Sequence, residues 1–301
     1  MDFSFTPEQD DLRREARAFL ESNPSPTLEQ LSSLGWVGIL RSDEFGFLDA
    51  GVLFEELGRA LYDGPYVLNE IAGQGGPEVW SIEIDGFVPH LDQVDRVLTP
   101  DMRGRPAQGE QLATVDETLR LGRLTADGAG PATGEWTDVR RRLLAALALE
   151  AVGIGSFAVE LAVAYAGSRE QFGKKIGAYQ AISHSLVDAY VAVELARSLA
   201  YWAAWCVAEE DDRVDLATAA AKSQAAEAAV LACEKSIQAH GGIGFTWEHL
   251  LHRLYKRALW IESFAPSATR LRAEVAGALL DRAPEGTPVT RPAAVPVEQG
   301  G

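Results

Sequence analysis

The sequence predicts a mostly α-helical protein that carries a short β-region in its middle. Apolar residues recur at helical spacing over residues 146–167, 179–199 and 218–235, and each run is long enough for several helical turns. Glycine and proline become frequent between residues 73 and 136, where short alternating runs predict strands. We therefore expect four regions: an N-terminal helical region over 1–72, a shortened β-region over 73–136, a C-terminal helical domain over 137–282 and a flexible tail over 283–301.

The N-terminal region begins with a capping-box pattern. Thr6 is a candidate N-cap and Gln9 follows three residues later, so each side chain can bond to the other residue's backbone N–H. A helix is predicted from there to about residue 21, where two prolines interrupt it. Further helices are predicted over residues 28–34 and 50–61. We expect these helices to form one small layer.

The middle of the chain has the pattern of short strands joined by turns. Four strands are predicted, over residues 81–84, 96–99, 111–115 and 118–125. The dipeptides Asp85-Gly86 and Asp127-Gly128 favour turns between them. Trp80 precedes the first strand, and we interpret it as a core residue.

Composition limits the classes of partner and compartment. A net charge of −17 argues against a nucleic-acid partner, because phosphates would be repelled. Cys206 and Cys233 fall in helical patterns and are predicted to be buried thiols. We find no signal-peptide pattern and no apolar run of membrane-spanning length, so we expect a cytoplasmic protein without a membrane partner. His249 and His252 fit a helix surface better than a metal site, and no metal ligands are predicted.

The segment SREQFGKK interrupts two long helical patterns and is basic in an acidic chain. The preceding helix is predicted to end near Gly167, which can adopt the αL cap conformation. Arg169, Lys174 and Lys175 follow within a few residues. Such a concentration of positive charge is typical of an anion site. It is equally typical of a solvated basic end of a helix, which complements the helix dipole, and spacing alone leaves both interpretations open.

A second segment, QAHGGIGF, begins at Gln238, where a helix is predicted to end. Gly241 and Gly242 in succession let a ligand approach the backbone closely, and exposed N–H groups there can bind phosphate or carbonyl oxygens. The same residues are also typical of a helix C-cap followed by a turn. The motif by itself favours the cap.

Longer blocks around these two segments resemble the acyl-CoA dehydrogenase family of flavoproteins. The pattern RxQFGxxIxxxQAIxHxLxD begins at Arg169, and QxxGGxGF begins at Gln238. The blocks MDFSFTPEQDDLRREARAFL, LSSLGWVGIL and FEELGRAL are similar to the opening helices of that family, and all blocks stand in the family's order. The resemblance implies a mostly α fold with an N-terminal helical layer, a small β-region that is truncated here, and a C-terminal four-helix bundle.

The resemblance also implies FAD as cofactor, shared with a partner subunit. In the family, residues of these two motifs grip the adenosine diphosphate part of the FAD that a neighbouring subunit holds. The matching positions in this chain are Arg169, Gln171, Phe172, Gln238, Gly241 and Gly242. Arginine suits this role because its planar fork pairs two phosphate oxygens and stays charged.

The chain departs from the family at the positions that carry the chemistry. Ala265 stands where the family has its catalytic glutamate, and Leu143 stands where some members place an alternative glutamate. Neither side chain can accept a proton, so no catalytic residue is predicted; Glu262, one helical turn before Ala265, leaves a shifted base open. We also find no equivalent of the family's cradle for the isoalloxazine ring between residues 68 and 95.

Two functional hypotheses follow. In the first, the chain is a subunit of a hetero-oligomeric acyl-CoA dehydrogenase, and a homologous full-length subunit supplies the flavin pocket, the base and most contacts to the acyl-CoA substrate. In the second, it is a homo-oligomeric scaffold of the same fold that binds no flavin and performs non-redox binding or another chemistry. The retained Arg169 and its companions favour the first, since a scaffold freed of flavin has no physical reason to keep them.

Overall fold

The computed structural model of the chain describes residues 4–126 and 128–281, so the tail predicted over residues 283–301 lies outside the described part. Helices dominate these residues, which confirms the mostly α fold class. Nine helices are present in them: α1 (Pro7–Ser22), α2 (Leu28–Ser33), α3 (Phe47–Arg59), α4 (Tyr66–Ala72), α5 (Trp136–Ser168), α6 (Gln180–Ala208), α7 (Val214–His240), α8 (Leu251–Ser263) and α9 (Ala268–Asp281).

The N-terminal helices α1 to α4 form a layer against the long helices. The predicted capping box is confirmed: the backbone N–H of Gln9 donates to Thr6 Oγ1 over 3.3 Å, and the N–H of Thr6 donates to Gln9 Oε1 over 3.2 Å. Helix α3 begins earlier than predicted, at Phe47. Its start is fixed by Asp49, whose carboxylate accepts the N–H of Gly46 over 2.7 Å.

The β-region holds one four-stranded sheet and one pair of strands. The strands are β1 (Trp80–Ile82), β2 (Arg96–Thr99), β3 (Arg103–Pro106), β4 (Gly109–Gln111), β5 (Gly122–Leu124) and β6 (Gly130–Pro131). The sheet has the order β1-β2-β3-β6, with β1 parallel to β2 and the other pairs antiparallel. Strands β4 and β5 pair separately. Trp80 is buried, as predicted.

Two of the predicted strands are largely wrong. The strand predicted over 111–115 survives only as the last residue of β4, and of the strand predicted over 118–125 only Gly122–Leu124 form a strand, β5. Between them the chain forms a 3-10 turn over Glu117–Leu119, because Asp116 accepts the backbone N–H of Thr118 over 3.0 Å and caps that turn. Strand β3, which the sequence pattern did not indicate, pairs with β2 in antiparallel orientation.

Helices α5, α6 and α7 pack side by side and, with α8 and α9 against α7, form the C-terminal helical domain. Helix α5 starts at Trp136, ten residues before the apolar run that predicted it. It ends at Ser168, and the predicted αL cap at Gly167 is wrong: Gly167 is still helical, and Arg169 caps the helix with φ −70° by donating its N–H to Tyr165 O. Both predicted buried thiols, Cys206 and Cys233, are confirmed.

The N-terminal layer approaches α5 closely because glycine faces backbone on both helices. A Cβ atom at Gly58 of α3 would lie 2.2 Å from the carbonyl oxygen of Glu150. A Cβ atom at Gly153 of α5 would lie 2.0 Å from the carbonyl oxygen of Glu55. Both distances are far inside van der Waals contact, so only glycine permits this packing of α3 on α5.

Helices α5 and α6 are each long and apolar enough to cross a membrane, judged by length and composition alone. This corrects the expectation that the sequence contains no such run. In the 18-residue apolar window of α5, 72% is buried inside the protein, whereas 39% of the corresponding window of α6 is buried. Core helices pass the same test when they are buried, so the two runs are weak evidence for a membrane.

One buried arginine joins the β-region, the N-terminal layer and two helices of the C-terminal domain. Arg257 of α8 is 3% exposed. Its Nε donates to Asp116 Oδ2 over 2.7 Å and its Nη1 donates to Glu150 Oε1 of α5 over 2.5 Å. The guanidinium also donates to Thr118 Oγ1 and to the carbonyl oxygen of Tyr62. We refer to Arg257, Asp116, Glu150, Thr118 and Tyr62 as the Arg257 cluster.

Replacing Arg257 by leucine should destabilise the protein strongly. The substitution leaves the carboxylates of Asp116 and Glu150 buried without a counter-charge, which typically costs about 3–5 kcal/mol. Urea denaturation of both proteins measures the difference. Arg141→Leu is the matched control, because Arg141 pairs with Asp215 at the surface and its loss should cost less than about 1 kcal/mol. Equal effects of the two substitutions would contradict the role of the Arg257 cluster.

Candidate functional site

The basic segment between α5 and α6 is a β-hairpin with a two-residue loop. Strand β7 (Glu170–Gln171) pairs with β8 (Lys174–Lys175). The loop residues Phe172 and Gly173 have φ of +52° and +77°, and positive φ at both positions is what a type I′ hairpin turn requires. Phe172 stands at the tip and is 93% exposed. The hairpin therefore projects an aromatic side chain from the end of the helical domain.

An open cleft of about 500 Å³ lies beside this hairpin, where α5 ends, α6 begins and α7 ends. It brings together four of the six residues predicted to bind a cofactor: Arg169, Gln171, Phe172 and Gly241. The other two, Gln238 and Gly242, do not line it. The remaining lining residues, none of which was predicted as a binding residue, are Tyr165, Ile176, Tyr179, Ala181, Ile182, Ala239 and His240.

Arg169 has a fixed backbone and a free side chain. Its N–H donates to Tyr165 O over 2.8 Å, and its carbonyl oxygen accepts the N–H of Ile176 over 2.9 Å. Lys175 on the same hairpin is paired with Glu170 at 3.5 Å. By contrast, within residues 4–126 and 128–281 no carboxylate lies within ion-pairing distance of the exposed Arg169 guanidinium. An unpaired guanidinium at the mouth of a cleft is suited to bind an anion.

The glycine segment forms the opposite edge of the cleft. Helix α7 continues two residues beyond its predicted end at Gln238, and Gly241 terminates it with φ +65°, a conformation that favours glycine. The N–H of Gly241 donates back to the carbonyl oxygen of Gln238. A Cβ atom at Gly241 or Gly242 would meet nothing within 4 Å, so a ligand can reach the backbone there. Gly241 to Phe245 then form a 3-10 turn.

An aromatic stack supports the floor of the cleft. The rings of Tyr165 and His240 are stacked, with centroids 4.3 Å apart, and His249 packs against His240 at 4.6 Å. The Nδ1 of His240 lies 2.8 Å from Ser236 O, one helical turn earlier in α7. The sequence analysis missed Tyr165, and the signal that could have found it is its position in the last turn of the predicted helix that leads into Arg169.

The connection between α8 and α9 contains Ala265, the position that the resemblance matches to the family's catalytic glutamate. Ala265 is buried and has φ +62°. The fully buried Lys222 of α7 donates to the carbonyl oxygens on both sides of it, Phe264 O and Pro266 O, over 2.6 Å each. The side chain of Lys222 therefore joins this connection to α7 through two hydrogen bonds. Leu143 is buried as well, and neither Ala265 nor Leu143 offers a proton acceptor.

Comparison with known proteins agrees with this architecture. The family described as acyl-CoA dehydrogenase, C-terminal domain, matches residues 140–279. Acyl-CoA dehydrogenase IpdE2 of Mycobacterium tuberculosis (strain ATCC 25618 / H37Rv) is 33% identical over 70% of this chain and 71% of its own length. IpdE2 of Mycolicibacterium smegmatis (strain ATCC 700084 / mc(2)155) is 30% identical over 80% of this chain and 85% of its own.

Solved structures share the fold at lower identity. The ChsE4-ChsE5 complex from Mycobacterium tuberculosis superposes with a TM-score of 0.77 at 21% identity, over 93% of this chain and 99% of that chain. A glutaryl-coenzyme A dehydrogenase gives a TM-score of 0.78 at 18% identity, over 93% and 97%. Helical layer, small β-region and helical domain thus define a protein of the acyl-CoA dehydrogenase fold. On sequence as well as fold, the chain belongs to the acyl-CoA dehydrogenase family.

FAD is the cofactor that this family implies, and the residues of the cleft fit part of it. The Arg169 guanidinium, which has no carboxylate partner among the described residues, suits a diphosphate, and the glycine backbone leaves room for it. The exposed ring of Phe172 offers a face on which a purine can stack, whereas the Lys174 ammonium lies 4.0 Å from the centroid of the Tyr179 ring and covers one of its faces. The cleft is open to one side, so these residues cover only one side of a bound dinucleotide.

Replacing Lys222 by methionine should change how stability depends on pH. Burial lowers the pKa of Lys222 to about 7, although the carboxylates of Glu262 and Asp85 raise it. Between that value and the ordinary pKa of a lysine, the unfolded chain binds a proton that the folded chain releases, so this residue makes stability rise with pH. The slope should reach about 1.4 kcal/mol per pH unit.

Urea titrations at several pH values from 6.5 to about 10 measure this slope. We expect the free energy of unfolding of the wild type to increase relative to that of Lys222→Met over this range. Below about pH 7 the difference between the two proteins should be constant, since Lys222 is then charged in both states. Parallel curves over the whole range would show that Lys222 stays charged in the folded protein.

Proposed function

We propose that the chain is a subunit of an FAD-dependent acyl-CoA dehydrogenase and completes the FAD site of a homologous full-length subunit. The observation that carries the proposal is the open cleft with Arg169, Gln171, Phe172 and Gly241 on its walls and an unpaired guanidinium at its mouth. Gln238 and Gly242, which belong to the same motif, adjoin it along the chain. The cleft accommodates one side of the adenosine diphosphate, and the partner subunit holds the other parts of the cofactor.

FAD, when bound, accepts the two electrons of the α,β-desaturation of an acyl-CoA thioester. The residues of this chain act on its diphosphate and adenosine. Arg169 neutralises phosphate charge, and its planar fork pairs two oxygens at once. The backbone at Gly241 lets the diphosphate approach closely, and the exposed ring of Phe172 covers the adenosine from solvent. Together these contacts hold the cofactor in the partner and exclude water from it.

The proposal leaves the proton transfer to the partner subunit. Ala265 and Leu143 carry no acid or base, and the Lys222 ammonium beside Ala265 donates to two backbone carbonyls. A carboxylate that removes the α-proton of an acyl thioester must lie within hydrogen-bond distance of that carbon. Glu262, the remaining candidate, lies one turn earlier on α8 and in the field of Lys222. We therefore assign the chain no catalytic residue and expect it to be inactive when isolated.

The acyl-CoA substrate, the hetero-oligomer and a cytoplasmic location belong to the same proposal. The similarity to the ChsE4-ChsE5 complex supports the hetero-oligomer, because the name of that structure states an assembly of two different proteins. The acidic composition supports the absence of a nucleic-acid partner. The burial of most of α5 supports a soluble protein rather than one in a membrane.

Co-purification with a flavin tests the proposal directly. The chain is expressed alone and together with homologous full-length subunits encoded beside it, and absorbance between 350 and 500 nm is compared with the native mass of each preparation. We expect a colourless isolated chain and a yellow complex that contains both polypeptides. A yellow, catalytically active isolated chain would overturn the proposal, and colourless protein in every combination would favour the scaffold alternative.

Arg169→Ala should weaken the retention of FAD in the complex without dissociating it. A charge-assisted hydrogen bond to phosphate contributes about 1.5–3 kcal/mol, so the dissociation constant of FAD should rise roughly tenfold to hundredfold. The matched control is Arg14→Ala, since Arg14 is an exposed arginine on α1 that pairs with Asp11 and lies outside the cleft. Flavin titration into the apo-complex measures both constants. Equal constants for Arg169→Ala and Arg14→Ala would place Arg169 in solvent.

A further inference from the structure

Tyr165 lies in the wall of the cleft and has an uncommitted hydroxyl group. Its ring is partly buried and stacks on His240. Within the described part of the chain, the Tyr165 hydroxyl makes no hydrogen bond to another residue. The hydroxyl of Tyr179, the other tyrosine of the cleft, donates to Gln171 O over 3.2 Å. Of these two hydroxyl groups, that of Tyr165 is therefore the one that can bind a ligand.

The position of Tyr165 on α5 associates it with Arg169. Tyr165 lies in the last turn of α5, and Arg169 is the residue that caps the helix. The N–H of Arg169 donates to Tyr165 O, which links the two residues through the backbone as well. A phenolic hydroxyl can donate to a phosphate oxygen while a neighbouring guanidinium supplies the charge. Both side chains line the same cleft.

The orientation of the Tyr165 ring is fixed by its stacking on His240. His240 is buried, and its Nδ1 lies within hydrogen-bond distance of Ser236 O, so Nδ1 carries a proton and donates to that carbonyl. This bond holds the imidazole ring in place against Tyr165, and His249 packs against His240. The ring of Tyr165 therefore cannot turn freely, and its hydroxyl needs little ordering when a ligand arrives.

The other groups of the cleft are of two kinds. Phe172, Tyr179 and Ile182 are aromatic or apolar, and the Lys174 ammonium lies 4.0 Å from the centroid of the Tyr179 ring. Arg169 and the glycine backbone at Gly241 are polar. Tyr165 stacks on His240, the residue that precedes Gly241, which places it near the polar backbone.

We infer that the Tyr165 hydroxyl binds the diphosphate of the dinucleotide, beside Arg169, and that His240 positions it. The inference rests on the proposed function, since it names a further contact to the same FAD. It assigns the polar groups of the cleft to the diphosphate and the aromatic side chains to the adenine, and it places the Tyr165 hydroxyl on the phosphate that carries the adenosine. Because FMN lacks that phosphate and the adenosine, Tyr165 should contribute to the affinity of the complex for FAD and not to its affinity for FMN.

The test is Tyr165→Phe in the complex of both subunits, which removes the hydroxyl and keeps the ring on His240. The dissociation constant of FAD should rise on the order of tenfold, and that of FMN should not change. Tyr179→Phe is the matched control, because the Tyr179 hydroxyl is already bonded within the hairpin. An unchanged FAD constant in Tyr165→Phe would overturn the inference, as would equal weakening of FAD and FMN.

Two substitutions at His240 test its positioning role. His240→Leu removes the aromatic stack and should weaken FAD as Tyr165→Phe does, whereas His240→Phe keeps an aromatic ring beneath Tyr165 and should restore most of the affinity. Equal loss in both variants would overturn the positioning role. The native mass of each complex is measured alongside, so dissociated complexes are recognised.

Failure of this inference is distinguishable from failure of the proposed function. Suppose that Arg169→Ala weakens FAD and Tyr165→Phe does not. The cleft then binds the cofactor without the Tyr165 hydroxyl, and only the inference falls. If neither substitution changes FAD retention in a yellow complex, the cleft is not the FAD site and both fall.

Discussion

The packing of this protein depends on the need to pair one buried positive charge. Arg257 is almost fully buried, and its partners come from the β-region, from α5 and from the turn after α3. A buried charge is tolerated only with its counter-charges in place, so Asp116 and Glu150 must reach α8 together. Burial alone raises the pKa of Asp116, but the charge of Arg257 and the hydrogen bonds from Thr118 lower it more, and the carboxylate stays ionised. This requirement fixes how the small β-region sits on the helices.

The cleft is a consequence of how those helices are arranged. Helices α5, α6 and α7 are joined in sequence and pack side by side, so the chain runs up α5, down α6 and up α7. The end of α5, the start of α6 and the end of α7 therefore meet at one end of the domain. That geometry places Arg169 and Gly241 on one cleft although about seventy residues separate them. The glycine contact between α3 and α5 then holds the N-terminal layer against the same helix.

The sequence predicted what depends on long periodic patterns and on motifs, and missed what depends on single tertiary contacts. The three long helices followed from apolar spacing, and Arg169 stood out as a cation in an acidic chain. Gly167 misled because a glycine near a helix end is usually a cap, whereas here the hairpin decides where α5 stops. Lys222 and Arg257 could not be found, since a charged residue in a helical pattern predicts a solvated face until its buried partners are known. Tyr165 and His240 were not predicted as binding residues, because their stacking depends on the packing of α5 against α7.

The two ends of α7 differ in whether their polar groups have hydrogen-bond partners, and this difference supports the proposal of an FAD site shared with another subunit. Toward its start, the buried Lys222 donates to the carbonyl oxygens of Phe264 and Pro266, on either side of Ala265. At its other end, the cleft keeps an unpaired guanidinium, a free phenol and an approachable backbone. Polar groups without a protein partner cost little stability while water solvates them. Holding them in one orientation adds nothing to stability, but it lowers the entropy cost of binding a ligand. The fixed hairpin and the Tyr165–His240 stack maintain that orientation, as expected of a site that binds a ligand.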